Sequence, residues 1–227
     1  MTSDNVERAA RLYGRWAETY SSDRSRGLRA GVLARQRQAI LRLAAPRAGD
    51  RVLDVGCGSG DMVRLLRNTV AEVWGVDASP PMLAQARPLL DHAVTGYAED
   101  LLLRREFDLV LCCGVLDFVE DPGAVLRSIA RHLAPSGRAV VAAAGRTGIG
   151  VVYALARALG GVRVKLYAAS DLARIAAANR LRCLDARSIP GGSVAALLHA
   201  EGEFFERSTL RRDCARGVST QAPAAGG

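Results

Sequence analysis

The chain has 227 residues, 49% hydrophobic and 24% charged, which suits one α/β domain with a modest extension and a core of its own. No apolar run approaches the roughly eighteen residues needed to cross a bilayer. The opening stretch MTSDNVERAARLYGRW mixes acids and arginines where a signal peptide would run basic and then apolar, so a cytoplasmic protein with no membrane contact is expected. The net charge of +8 invites a nucleic-acid reading, but all but one of the 31 basic residues are arginines scattered through every segment, so specific nucleic-acid binding is not indicated.

In chain order, residues 6–20 put Ala9, Leu12, Tyr13, Trp16 and Tyr20 at helical spacing, a face rich in aromatics. After the polar connector SSDRSRG, a second helix is predicted over about 28–43, ending before Pro46. From Arg51 onward short apolar runs alternate with helical ones. Strands are predicted at 51–55, 72–76, 93–96, 107–112 and 138–144, with helices at 61–68, 81–87 and 122–133. The turn Pro135-Ser136-Gly137 should close the last of these helices. Helices follow at 150–159 and 171–178, the second with Ser170 as its N-cap. Runs at 181–189 and 193–200, joined by Pro190-Gly191-Gly192, can only be antiparallel neighbours.

This rhythm predicts a doubly wound α/β fold: a mostly parallel, seven-stranded, Rossmann-like sheet that ends in an antiparallel C-terminal hairpin. Residues 1–47 would form an N-terminal helical extension and 48–200 the core, with an insertion at about 148–170. Residues 201–227 would form a tail, its end (STQAPAAGG) composed like a disordered segment. The cysteines at 57, 112, 113, 183 and 214 make no C-x-x-C pair, and His92, His132 and His199 lie far apart, so neither a metal site nor a disulfide framework is suggested. His132 and His199 belong to no acid–base motif and read as structural.

The informative stretch is Val52-Leu53-Asp54-Val55-Gly56-Cys57-Gly58-Ser59-Gly60-Asp61, a buried strand running into alternate glycines and then a helix. Such glycines let the backbone turn sharply and approach a ligand closely. A dinucleotide loop of the form Gly-x-Gly-x-x-Gly would need glycine where Asp61 stands. Asp54 and Asp61 would also face a pyrophosphate with negative charge, a repulsion of several kcal/mol at about 4 Å and intermediate dielectric. A ligand carrying an ammonium and a sulfonium meets the opposite field, and S-adenosylmethionine is such a ligand. Asp77, at the tip of the second strand, suits two vicinal ribose hydroxyls, or else caps the following helix; beside the glycine loop the ribose role is favoured.

The segments VLDVGCGSG, GVDASPPML, GYAED, FDLVLCCGVLDFVEDP and LRSIARHLAPSGRAVVAA together resemble the class I methyltransferases, above all the small bacterial enzymes related to the ubiquinone-pathway methyltransferases. The resemblance covers roughly residues 10–200. It implies S-adenosyl-L-methionine as cofactor, with Asp54 and Gly56 holding its methionine part and Gly58 giving backbone access. It further implies that Asp77 binds the ribose, that Ala78 and Met82 pack near the adenine, and that Cys113 and Gly114 border the methionine part. Members of the family often carry an acid directly after the glycine of the third-strand motif. Tyr97 stands there instead, so the adenine contact is assigned to Ala98 and Glu99.

The resemblance also places the N-terminal segment over the cofactor as a lid, although packing alone explains its aromatic stripe equally well. Tyr13, Tyr20 and Asp117 are the candidate catalytic or acceptor-contacting residues. The insertion, with Tyr153 and Tyr167 among small apolar residues, suggests an apolar pocket wall. The implied reaction is methyl transfer to a small apolar or aromatic molecule, of the kind found in specialised metabolite biosynthesis. A protein or RNA methyltransferase and a cofactor-binding protein without catalysis remain as alternatives, and a homodimer is left open.

Overall fold

The computed structural model describes residues 4–24 and 27–200, the side chains of 21–24 and 27–29 excepted. The expected tail, 201–227, lies outside the described residues. Two helices, α1 (Asp4–Arg24) and α2 (Gly27–Ala44), precede the sheet. With no proline in SSDRSRG to stop it, α1 continues through Ser21–Arg24, and the helices absorb most of the expected connector.

The sheet contains β1 (Arg51–Val55), β2 (Glu72–Asp77), β3 (His92–Thr95), β4 (Phe107–Cys113), β5 (Leu133–Ala144), β6 (Leu181–Ile189) and β7 (Ser193–Ala200), in the order β3-β2-β1-β4-β5-β7-β6. The strands β1 to β5 pair in parallel, and β7 runs antiparallel to both β5 and β6, as the short Pro190–Gly192 link requires. Alternation along the central strands serves two cores. Phe107, Val110 and Cys112 of β4 join Leu126 and Ile129 of α5 (Pro122–His132) and Leu172 and Ala176 of α7 (Ala169–Ala177) on one face. Leu109 and Leu111 join Ile40 and Ala44 of α2, Val63 and Leu66 of α3 (Val63–Leu66), and Leu83 and Ala86 of α4 (Pro80–Ala86) on the other. Both faces of a parallel sheet are thereby covered, which is why its strands read as nearly continuous apolar runs. No described helix is long and apolar enough to cross a membrane.

Three local expectations are corrected. The turn Pro135-Ser136-Gly137 does not interrupt the chain between helix and strand: β5 begins at Leu133 and carries those residues as an irregularity in its pairing with β4. The two backbones meet so closely there that a Cβ on Gly137 would lie 2.8 Å from the Phe107 carbonyl oxygen. The helix expected at 61–68 contracts to α3, because the glycine loop's turn continues through Asp61 and Met62. Ser170 lies inside α7, whose N-cap is Ala168; the Asp171 carboxylate accepts the Ala168 N–H at 2.8 Å and satisfies that end of the helix.

The N-terminal helices are tied to the sheet by a buried ion pair. Arg138 on β5 meets Asp50 at 2.7 Å and donates to the carbonyls of Ala44 (2.5 Å) and Ala45 (2.6 Å), orphan acceptors at the end of α2. Removing one partner strands the other's charge, so Arg138→Met should cost about 3–5 kcal/mol in urea unfolding. Pairing it with Asp50→Asn should recover part of that loss; no recovery would mean that the carbonyl contacts alone carry the effect.

Candidate active site

The chain crosses over between β1 and β4, and at the carboxyl ends of the strands this leaves a crevice, the usual ligand position in an open α/β sheet. A cavity of about 410 Å³ opens there. Each candidate residue identified from sequence lines it: Asp54, Gly56, Gly58, Asp77, Ala78, Met82, Ala98, Glu99 and Cys113, together with Tyr13, Tyr20 and Asp117.

The glycine loop is shaped by backbone hydrogen bonds to the end of β2. The N–H groups of Gly56 and Cys57 donate to the Val76 carbonyl at 2.7 and 3.0 Å. Gly56 has φ +72°, and a Cβ there would fall 2.2 Å from the Val115 side chain, so only glycine fits. Asp77 accepts the Gly58 N–H at 2.7 Å through one carboxylate oxygen and the Ser79 N–H at 2.8 Å through the other. This carboxylate therefore organises both loops, and each oxygen keeps a further lone pair toward the cavity.

The electrostatics are those of acids withheld from water. Burial, with the charges of Asp77 and Asp61 added, pushes the pKa of Asp54 up to about 7. Burial raises Asp77 and Glu99 as well, against the backbone hydrogen bonds that lower them. Among the described residues no arginine, lysine or histidine pairs with Asp54, Asp77 or Glu99. The nearest exception, Arg37 of α2, meets Asp61 at 3.0 Å at the mouth of the glycine loop. Ser79 Oγ and Glu99 Oε2 are buried without a hydrogen-bond partner.

Toward β4, β5 and β7 the lining changes to Phe118, Ala142–Ala144, Ile149 and Gly192, beside Asp117 and three tyrosines. Asp117 is buried rather than a solvated loop acid: it accepts the Ala144 N–H at 2.8 Å, and burial pushes its pKa up to about 7. Tyr13 sits edge-on to Trp16, Tyr20 and Phe118, each at 5.7 Å, and burial raises its pKa to about 12. Trp16 shares that helical face but lies outside the cavity, half-exposed beneath the Arg157 guanidinium at 4.6 Å.

Of the tyrosines in the insertion, Tyr153 on α6 (Gly148–Ala158) lines the cavity. Tyr167 instead belongs to the core, where its hydroxyl donates to the Leu116 carbonyl at 2.9 Å. His132 is structural: Nε2 accepts the Leu103 N–H at 2.9 Å and Nδ1 faces the Ser128 carbonyl at 2.7 Å. No described group of three or more His, Cys, Asp or Glu residues forms a metal site.

Sequence reasoning missed Asn5. This buried side chain donates to the carbonyls of Phe118 (2.7 Å) and Arg163 (3.0 Å) and accepts the Arg163 N–H at 2.9 Å. It pins the first turn of α1 to the loop that carries Asp117 and to the segment leaving α6. An asparagine in an amphipathic helix carries no local sign of partners so distant in sequence.

Residues 53–141 match the family described as a methyltransferase domain. The ubiquinone biosynthesis O-methyltransferase of Xanthomonas oryzae pv. oryzae is 36% identical over 109 residues, which span 44% of this chain and 45% of that protein. The mitochondrial enzyme of the same name from Schizosaccharomyces pombe is 34% identical, over 44% of this chain and 40% of that one. The chain thus spans less than half the length of the curated relatives it matches. Magnesium protoporphyrin IX methyltransferase from Synechocystis, solved with S-adenosylhomocysteine, superposes with a TM-score of 0.65 at 18% identity, covering 86% of this chain and all of that one. The DhpI–S-adenosylhomocysteine complex gives 0.67 at 21% identity, over 89% and 100% of the two chains. These likenesses establish the fold.

The raised acids set a pH dependence. A carboxyl near pKa 7 when folded and about 4 when unfolded holds its proton more tightly in the native state. Its stabilising effect is full below about pH 4 and is lost as pH rises through 7. Asp54→Asn should therefore stabilise the ligand-free protein at pH 8 by on the order of 1–4 kcal/mol and have little effect at pH 4. Chemical unfolding at the two pH values checks this; equal effects at both would show that folding does not raise the pKa of Asp54.

Proposed function

We propose that this chain, whose residues 53–141 match a methyltransferase domain, is a class I S-adenosylmethionine-dependent methyltransferase that transfers a methyl group to a small, mostly apolar or aromatic molecule bound beneath α1 and α6. The observation that carries this reading is a single cavity joining unpaired buried acids around the glycine loop to an apolar, tyrosine-lined compartment beside β4, β5 and β7. The residues present fit the cofactor. Asp54 answers an ammonium and lies where a nearby sulfonium would be stabilised, and Asp77 has lone pairs for vicinal hydroxyls. The orphan Glu99 Oε2 offers an acceptor to an exocyclic amine.

When bound, the cofactor supplies a methyl group made electrophilic by a positive sulfur. Asp54, with Gly56, Gly58 and Cys113, holds the amino-acid end. Asp77 orients the ribose, and Ala78, Met82, Ala98 and Glu99 receive the base. A direct displacement asks the protein for alignment and for exclusion of water. Tyr13 and Tyr20 on α1 close the acceptor side as a wall and lid, with Asn5 fixing the helix at its start. Likeness to O-methyltransferases favours oxygen as the methyl-accepting atom. Asp117, which lines the same cavity with a pKa near 7, then takes the proton that such an oxygen releases, a reading supported by its burial.

Two measurements test the reading. Calorimetry should show S-adenosylhomocysteine binding and no comparable NAD binding; Asp77→Ala should weaken the former by about 1–3 kcal/mol, and tight NAD binding would sink the assignment. Asp117→Asn retains an oxygen to accept the Ala144 N–H. It should lower kcat about 10²–10⁴-fold while leaving S-adenosylhomocysteine affinity unchanged, and it should abolish the rise in rate as pH passes 7. An unchanged pH profile would remove Asp117 as the base.

A further inference from the structure

The hydroxyls of Tyr13 on α1 and Tyr153 on α6 meet at 2.8 Å, and both side chains line the cavity. Two hydroxyls bring two protons, and their mutual hydrogen bond uses one. Among the described residues neither hydroxyl has another partner, so one O–H is left to donate.

Its direction is constrained. The Tyr13 ring is fixed by edge contacts to Trp16, Tyr20 and Phe118. The Arg157 guanidinium lies 5.8 Å from the Tyr13 ring centroid, 5.4 Å from that of Tyr153 and 4.6 Å from that of Trp16, and its buried Nε has no hydrogen-bond partner. A cation against both rings draws charge from the phenols and strengthens them as donors. Burial raises the pKa of both tyrosines, so both stay protonated at neutral pH and neither serves as a base.

We infer that the Tyr13–Tyr153 pair is the polar anchor of the acceptor site, and that it takes a neutral carbonyl oxygen on an otherwise apolar, flat molecule. This deepens the methyltransferase reading and rests on it for the word acceptor. The pair offers a proton and so recognises a lone pair. Phe118, against the Tyr13 ring, and Val119, Ala143 and Ile149 elsewhere in the lining accept only apolar surface. A carboxylate would enter a cavity that already holds Asp117, Asp54, Asp77 and Glu99, so an anion is disfavoured where a ketone, ester or amide is not.

The test uses the protein saturated with S-adenosylhomocysteine and two probes of one shape, acetophenone and ethylbenzene, which differ in the carbonyl oxygen. Wild type should bind acetophenone about tenfold more tightly than does the double variant Tyr13→Phe/Tyr153→Phe, while ethylbenzene should bind both alike. The infrared carbonyl band of bound acetophenone should lie lower in wild type than in the double variant, as hydrogen bonding requires. Should that variant fail to fold, Tyr153→Phe alone decides by the same band, since losing one hydroxyl breaks the polarised chain and must raise the frequency.

An unmoved band, equal losses for the two probes, or binding of neither probe overturns the inference. Failure of S-adenosylhomocysteine to bind would instead count against the methyltransferase reading, and the carbonyl preference, measured without it, would still stand or fall on the band.

Discussion

Two buried carboxylates four residues apart hold the structure and the site in opposite ways. Asp50, just before β1, and Asp54, within it, are exposed by only 4% and 2%. At the amino end of the strand Asp50 receives Arg138, and with it the carbonyls that end α2 gain donors. At the carboxyl end no described basic side chain pairs with Asp54, and Asp77 and Asp61 add to its burden. Desolvating an unpaired charge is costly, and a folded chain tolerates it where the group serves a ligand. The two ends of one strand thus separate a buried ion pair from a buried acid that has no described basic partner. The sheet order, with β1 between β2 and β4, collects the other acids around Asp54.

The tyrosine-lined side of the cavity is assembled by elements that the sheet does not connect. Asn5 joins α1 to the loop after β4 and to the segment after α6 through backbone groups, which depend on position and not on side-chain identity. Gln36 of α2 donates to Ser193 at 2.6 Å, closing the same cavity against the start of β7. The helices before the sheet therefore act as walls of the site and as cover for its cores. Val6, Ala9 and Leu12 are buried, and Val6 and Ala9 line the cavity beside Tyr13, so one face of α1 serves both the packing and the cavity wall. The outer face of α6 leaves Val152, Leu155 and Leu159 exposed, so the apolar character of the insertion is only partly spent on the pocket.

Near neutral pH the site contains two carboxyls, Asp54 and Asp117, poised to change charge for the same reason, burial. Their surroundings separate them. Asp54 stands among further acids; Asp117 keeps one backbone hydrogen bond and faces tyrosines and apolar carbon. One local constraint, removal from water, thereby raises two carboxyls of different surroundings in a single cavity.

The amino-acid sequence by itself determined the features that local chemistry dictates. The strand-glycine-helix turn, the acids at the tips of β1 and β2, the parallel core and the antiparallel hairpin were all legible, because side-chain period and turn residues act over a few positions. Its errors were also local. Pro135-Ser136-Gly137 has the composition of a turn and becomes part of β5 because β4 pairs across it, and Ser170 yields its capping role to Asp171. Only the tertiary structure decided what meets across the chain: Tyr13 with Tyr153, Asn5 with Phe118, Arg138 with Asp50. It also decided that Tyr167 enters the core while Tyr153 enters the cavity, although both stand among similar small apolar residues. Such pairings depend on which strand neighbours which, and no run of a few residues carries that information.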